Sequence, residues 1–230
     1  LLGFLGRKGN EIIKGLPLRF VERLRERGQA THHRACPLHV SLTMVDPEGT
    51  KRLAWEIMDE NNVEVLLYVF ATDVIMEGNK CKGVIIDSKK GREVIYAKSI
   101  VDCTGDGDIL YRAGAEMKYG NDQGIPQPPT LMFSMRGVDS RKLRDAVADH
   151  PEIYDIDYIP NEFFRPMDNC TFVGFRNQIR QAREAGYHLP VERTIFMTGM
   201  AEDEWWVNMS RVNGIDATDP QQYTRGEHEC

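Results

Sequence analysis

The turn at residues 104–108 constrains the fold of this chain more than any other segment. An apolar extended stretch, residues 100–103, ends there at the sequence Thr-Gly-Asp-Gly-Asp, and a helix-like segment follows. Because glycine lacks a Cβ, Gly105 and Gly107 allow the backbone to come close to a bound polar group. A turn that leads into a helix also presents backbone N–H groups to anionic oxygens. The segment therefore predicts a nucleotide cofactor, provided that its neighbours form a nucleotide-binding sheet.

Composition excludes several other classes of protein. Of the 230 residues, 41% are hydrophobic and 28% are charged, which is usual for a soluble globular protein. The formal net charge of −6, without a long Lys/Arg cluster, argues against a nucleic-acid partner. No apolar run approaches the ~20 residues of a membrane span. The cysteines are odd in number, widely spaced and without a CxxC pair, which predicts a cytoplasmic protein rather than a disulfide framework.

The residues before the turn predict part of a nucleotide-binding sheet. Residues 63–70 form a mostly apolar run, typical of a parallel strand that is covered on both faces. Three shorter runs separated by turn signals predict an antiparallel meander, at residues 73–77, 81–87 and 92–97. A last strand, residues 99–103, enters the glycine turn. Because a meander can replace the helix that joins two parallel strands, the fold class is α/β with a partial Rossmann-like sheet.

A cluster of turn-forming residues at 120–129 predicts a domain boundary. The two domains are then a partial cofactor domain, residues 1–120, and an incomplete α+β substrate domain, residues 121–230. Helices are predicted at residues 17–28, 46–62, 140–149 and 171–186, and further strands at residues 130–136, 194–198 and 204–210. If the last segment is a strand, Trp205 and Trp206 point to opposite faces, so that one of them lies in the core.

Two stretches resemble the middle of FAD-dependent oxidoreductases, a group that includes the flavoprotein subunits of fumarate reductase and succinate dehydrogenase. They are residues 70–84 and residues 97–108, the second followed by Arg-Ala-Gly-Ala at residues 112–115. Similarity to the same family extends to residues 129–133 with 137–139, to 206–212 and to 216–219, so the resemblance covers roughly residues 10–225. It implies an enzyme in which FAD exchanges a hydride or an electron pair with a small organic substrate.

The sequence departs from this family in two places. The G-x-G-x-x-G fingerprint that holds the cofactor pyrophosphate is absent, and so is a later glycine-rich region near the flavin ring. We therefore interpret the chain as an interior fragment that binds FAD weakly or not at all when isolated and is then inactive. A processed or unresolved terminus is the other explanation of its ends. The missing fingerprint also leaves open a non-catalytic binding or assembly module that kept the sheet and lost the cofactor.

The resemblance implies cofactor contacts for six residues, namely Ala71, Thr104, Gly105, Asp106, Gly107 and Asp108. The backbone of Ala71 would contact the adenine, and Thr104 and Gly105 would pack against the ADP portion. Asp106 and Asp108 would bind hydroxyl groups or orient the turn. The alternative that both aspartates only cap the following helix, for which Asp108 is well placed, stays open. No catalytic acid or base is assigned, and the substrate, the electron acceptor, covalent attachment of the flavin and the oligomeric state stay open.

Other reactive side chains are given ordinary structural roles. A predicted loop at residues 29–44 holds His32, His33, Cys36 and His39, whose types suit zinc but whose spacing matches no common zinc motif, so no metal site is predicted.

Cys103 ends an apolar run, which predicts a buried, inert thiol rather than a redox cysteine. Arg136 and Arg211 have the chemistry to bind a substrate carboxylate, but we favour a surface role for both.

Overall fold

Two separate stretches of chain build the larger unit of the structure, a computed structural model that describes residues 3–154 and 159–230. This unit comprises Leu1–Ile57 and Pro126–Cys230, and a smaller unit comprises Met58–Ile125. The helices are α1 (Leu16–Glu26), α2 (Pro47–Glu60), α3 (Asp108–Arg112), α4 (Ser140–Asp149), α5 (Arg176–Glu184) and α6 (Pro220–Glu229). The strands are β1 (Arg34–Cys36), β2 (Val40–Leu42), β3 (Phe70–Glu77), β4 (Lys80–Ser88), β5 (Gly91–Tyr96), β6 (Thr130–Met135), β7 (Thr171–Gly174), β8 (Thr194–Thr198) and β9 (Trp205–Arg211).

Helices α1 and α2 form where the sequence predicts them. Pro17 lies in the first turn of α1, and the apolar face of this helix buries Val21 and Leu24. Both side chains join a core cluster with Leu53 of α2. Asp46 caps α2, since its carboxylate accepts hydrogen bonds from the backbone N–H groups of the next turn at 3.1 and 3.2 Å.

The sheet of the larger unit runs in the order β6-β9-β8-β7 and is antiparallel throughout. Trp205 on β9 is 1% exposed and belongs to the main core cluster, whereas Trp206 is half-buried, so the predicted opposition of the two rings is confirmed. The core cluster lies between this sheet and α4 and includes Val147, Ala148, Ile159, Phe164, Cys170, Phe172 and Val173.

Side chains distant in sequence join the two stretches of the larger unit. Arg34 of β1 donates hydrogen bonds to the backbone carbonyls of Phe163 and Asn169. In the reverse direction, the amide Nδ2 of Asn169 donates to the carbonyls of His32 and Leu42, at 2.9 and 3.2 Å.

The predicted loop at residues 29–44 is wrong in part, because β1 and β2 pair there as a hairpin.

Strands β3, β4 and β5 form an antiparallel sheet in that order in the smaller unit. Gly78 has a φ of 58° in the tight turn between β3 and β4, which is the hairpin that the sequence predicts. Register shifts in β3 fall between Ala71 and Asp73 and between Ile75 and Met76. The predicted use of this sheet as a crossover needs a parallel strand on each side, at residues 63–70 and 99–103, and neither strand forms among the described residues.

The predicted buried strands at residues 63–70 and 99–103 are wrong for this structure, apart from Phe70, which begins β3. Tyr68 is 96% exposed and Val101 is 82% exposed. A strand forms only where neighbouring strands take up its backbone N–H and C=O groups. Within residues 3–154 and 159–230, no strand pairs with residues 63–69 or 99–103, and every strand pairing is antiparallel. The chain is therefore mixed α and β, and the Rossmann-like arrangement stays a prediction.

The predicted helix at residues 171–186 is shorter than expected. Residues 171–174 form β7, whose side chains are all buried, and only α5 is helical. Thr171, Phe172 and Val173 are β-branched or aromatic, types that favour a buried strand over a helix. In the part of the chain that the structure describes, no helix is both long enough and apolar enough to cross a bilayer.

Candidate functional site

The carboxylate of Asp102 shapes the turn that the sequence assigns to a nucleotide. Its Oδ1 accepts hydrogen bonds from the backbone N–H and the hydroxyl of Thr104, at 2.9 and 2.7 Å. Its Oδ2 accepts a hydrogen bond from the backbone N–H of Leu110, at 2.8 Å. These donors, the Thr104 hydroxyl first, lower the pKa of Asp102 because they stabilise its charged form. One side chain thus ties residues 99–103 to the first turn of α3.

The alternative that Asp106 and Asp108 cap α3 is wrong, because the N-cap position is Gly107 and no side chain caps the helix there. The hydroxyl Oγ1 of Thr104 accepts a hydrogen bond from the backbone N–H of Asp108, at 2.8 Å. Gly107 occupies the position before the helix and provides no capping side chain. Two amides at the start of α3, those of Asp108 and Leu110, are therefore already engaged by the protein's own oxygens.

The middle of the turn presents a different surface. The backbone N–H groups of Gly105, Asp106 and Gly107 donate no hydrogen bond to any described residue. Gly105 is exposed, and a Cβ built on it would have open space around it. Gly107 has a φ of 75°, and a Cβ there would lie 2.8 Å from the Cε of Met117. The positive φ of the turn therefore favours glycine at residue 107, whereas Gly105 leaves the backbone open to a ligand.

Ala71 lies in the same unit as the turn. It is half-buried on β3, opposite Ile86 of β4, at one edge of the sheet that the described residues form. Helix α3 packs beside β3. The structure therefore places all six predicted cofactor residues on two adjacent elements of the smaller unit and on the turn that enters one of them.

The charges at this site favour hydroxyl groups over phosphate. Asp106 and Asp108 are both exposed. An ionised carboxylate only accepts hydrogen bonds, so these two side chains suit the hydroxyls of a sugar and repel an anionic oxygen. Any phosphate contact in the turn would fall to the backbone amides of residues 105–107 instead.

His33 of the N-terminal stretch makes ordinary structural contacts. Nε2 of His33 lies 3.3 Å from a guanidinium nitrogen of Arg25, which only donates, so His33 is neutral there and its Nδ1 donates to the Thr43 hydroxyl at 2.6 Å. The ring stacks on Phe4 with 4.5 Å between centroids. Burial lowers the pKa of His33, and the charge of Arg25 lowers it further. Among the described residues, no group of three or more His, Cys, Asp or Glu side chains could hold a metal ion.

Three other side chains singled out in the sequence lie outside this turn or have no assigned part in it. Cys103 is exposed, so its predicted burial is wrong, because residues 99–103 join no sheet that would cover the thiol. Arg136 pairs with Asp203 at 2.9 Å on the surface of the larger unit. Arg211 is exposed at the end of β9, opposite Thr130.

Sequence reasoning missed Asp102, although a local signal was available. An aspartate whose side chain accepts from the backbone N–H two residues later forms a common turn, and the pattern Asp-x-Thr places a second donor there. The bond to Leu110 spans eight residues and has no such signal.

Comparison with known proteins gives one match. The sequence model of the family described as FAD dependent oxidoreductase matches residues 1–230. No curated protein and no solved structure matches the chain.

Proposed function

The chain belongs to the FAD dependent oxidoreductase family, and from this premise we propose that it is part of an enzyme that oxidises or reduces a small organic substrate. FAD is the cofactor of the family and supplies the redox chemistry, while the protein binds and orients it. The family match does not favour the alternative of a non-catalytic binding or assembly module. Transfer of a hydride or an electron pair, and a closer relation to the fumarate reductase and succinate dehydrogenase flavoproteins, are parts of this proposal.

We propose that FAD contacts the turn at residues 104–108 and the backbone of Ala71. The observation that carries this proposal is the open backbone at Gly105, which is exposed and has space for a ligand where a Cβ would stand. Thr104 and Gly105 would lie against the ADP portion, and Asp106 and Asp108 would accept hydrogen bonds from hydroxyls. Gly107 would set the direction of the backbone with its positive φ.

The assignment of separate binding roles to the two parts of the chain is also a proposal. We assign cofactor binding to residues 1–120 and substrate binding to residues 121–230. All six proposed FAD contacts lie in the first range, and the antiparallel sheet β6-β9-β8-β7 lies in the second. The negative net charge and the cysteine pattern support a cytoplasmic enzyme without a nucleic-acid partner.

The direct test is the colour of the protein made from the complete reading frame. We expect a yellow preparation that absorbs at about 450 nm, as bound flavins do, and releases FAD on denaturation. The 230-residue chain alone should retain little FAD after dialysis. A colourless complete protein that also fails to take up added FAD would contradict the proposed function.

Gly105→Leu provides a matched test of the site. Leucine at an exposed position with open space leaves the fold unchanged but occupies the surface where the cofactor would lie. We expect the FAD dissociation constant to rise by about tenfold or more. Gly78→Leu, at a positive-φ turn outside the site, is expected to lower stability instead of affinity.

A further inference from the structure

We infer that Asp102 is a positioning residue of the proposed cofactor site. Its carboxylate holds the backbone of residues 105–107 in the conformation that binds the nucleotide. This inference rests on the proposed function of the turn. Asp102 acts through the backbone of the turn and does not itself touch the cofactor.

The hydrogen bonds of Asp102 close the turn at both ends. Oδ1 binds Thr104 just before the glycines, and Oδ2 binds Leu110 just after them, so a single carboxylate holds the two flanks. Thr104 extends this clamp, since its hydroxyl accepts from Asp108 while donating to Asp102. The clamp therefore consists of one carboxylate and one hydroxyl that together engage the backbone N–H groups of residues 104, 108 and 110.

The residues inside the clamp need such support. Two of the three residues between Thr104 and Asp108 are glycines, which gain the most conformational freedom when they are released. A cofactor that binds a mobile turn must order it first, and this ordering weakens binding. A turn that is already fixed avoids the loss, which is why rigid support around a binding site raises affinity.

Asp102 differs from the other two carboxylates of the segment in what its oxygens do. Both of its oxygens already accept hydrogen bonds from the protein, and its side chain is half-buried. Asp106 and Asp108 are exposed and face solvent. Asp102 thus stabilises the turn, and the carboxylates of Asp106 and Asp108 are available to a ligand.

The test is Asp102→Asn in the complete flavoprotein, with FAD affinity measured by the quenching of flavin fluorescence. Asparagine keeps the size of the side chain and one acceptor, but its NH₂ group would face the N–H of Leu110, donor against donor. We expect the FAD dissociation constant to rise by about tenfold or more. Asp122→Asn removes the same charge from a carboxylate on the surface of the same unit and should leave the affinity unchanged.

A second measurement does not involve the cofactor. Hydrogen exchange of the backbone amides of Asp108 and Leu110, measured without FAD, reports the clamp directly. In Asp102→Asn we expect the Leu110 amide to exchange about tenfold faster or more, and Asp122→Asn should match the unaltered protein. Exchange that stays unaltered in Asp102→Asn, or an unaltered FAD affinity, would overturn the inference.

Thr104 provides a pair of variants if Asp102→Asn does not fold. Thr104→Val removes the hydroxyl at almost constant volume, and Thr104→Ser keeps it. Because Thr104 is itself a proposed FAD contact, these variants are compared by hydrogen exchange without FAD. We expect valine to release the Asp108 amide and serine to keep it protected. Equal exchange rates of the Asp108 amide in the two variants would overturn the inference. A complete protein that binds no FAD would instead overturn the proposed function, and hydrogen exchange would still test the clamp.

Discussion

The guanidinium carbon of Arg144 lies 5.4 Å from the centre of the Trp205 ring, inside the core of the larger unit. Arg144 also donates hydrogen bonds to the backbone carbonyls of Pro166 and Asp168. Trp205 donates through Nε1 to the hydroxyl of Ser140, at 2.8 Å. A buried cation therefore links α4, β9 and the segment that leads into β7, and its removal leaves carbonyls without their donor.

Replacement of Arg144 by methionine is expected to lower the free energy of unfolding by about 2–4 kcal/mol. The carbonyls of Pro166 and Asp168, and the buried carbonyl of Phe164, then lose a charged donor. Urea unfolding followed by tryptophan fluorescence measures the change. Arg141→Met, on an exposed face of the same helix, should cost less than about 0.5 kcal/mol. Equal losses in the two variants would show that the buried contacts of Arg144 contribute nothing.

Truncation of Phe172 tests the core of the larger unit. This ring is 1% exposed and stacks on Phe196 with 5.1 Å between centroids. We expect Phe172→Ala to destabilise the protein by about 3–5 kcal/mol in calorimetry, since it loses buried area and leaves a cavity. Phe133→Ala, at a ring that is 45% exposed, is expected to cost less than about 1 kcal/mol, and a larger loss there would contradict the described exposure.

Acid should weaken the N-terminal part of the larger unit through His33. Its pKa is lowered in the folded protein, first by burial and then by Arg25, so below the ordinary value near 6.5 the unfolded chain binds a proton that the folded chain does not. Stability therefore falls as the pH falls through this range. Urea unfolding measured from roughly pH 7.5 to pH 5.5 should show a smaller loss of unfolding free energy in His33→Gln than in the unaltered protein.

His39 contributes to the same pH dependence, because burial lowers its pKa as well. The variant that replaces both His33 and His39 by glutamine should therefore lose more of the slope than either single variant. A slope in His33→Gln as steep as that of the unaltered protein would refute the assignment.

The cysteines should differ widely in reactivity. Cys103 is exposed, whereas burial raises the pKa of Cys170 to about 11. Because the thiolate is the reacting form, we expect a maleimide at about pH 8 to label Cys103 at least about tenfold faster than Cys170. Mass spectrometry of peptides from briefly labelled protein measures both rates, and Cys103→Ser removes the fast site. Similar rates at the two positions in folded protein would contradict the structure.

Alanine should destabilise the protein at Gly107 and leave its stability almost unchanged at Gly105. Gly107→Ala forces a Cβ into a positive-φ backbone beside Met117 and is expected to lower stability by about 1–2 kcal/mol. Gly105→Ala meets open space and should leave thermal unfolding within about 0.5 kcal/mol of the unaltered protein. A larger loss at Gly105 than at Gly107 would show that the turn adopts another shape.

Elements with local signals were predictable from the sequence. Pro17 and the spacing of Val21 and Leu24 fix α1, and the Gly78 turn fixes the β3–β4 hairpin, because each signal lies within the element that it determines. The predicted strands at 63–70 and 99–103 failed because apolar composition does not specify the neighbours that a strand needs.

The candidate site also combines features that the sequence predicts with features that depend on the fold. The glycines of the turn are visible in the sequence, and so is the Asp-x-Thr pattern that gives one half of the Asp102 clamp. The other half, the bond to Leu110, depends on how the chain folds back over eight residues. Contacts such as those of Arg144 with Pro166 and Asp168 carry no sequence periodicity at all.

The bonds from Arg34 to Phe163 and Asn169 span 129 and 135 positions of the chain. During synthesis on the ribosome, the β1–β2 hairpin can therefore bind Phe163 and Asn169 only after all of Met58–Ile125 has emerged. The smaller unit has no need to wait, since the pairings of its sheet are all local. We therefore expect Met58–Ile125 to complete its fold before Leu1–Ile57 joins the C-terminal stretch.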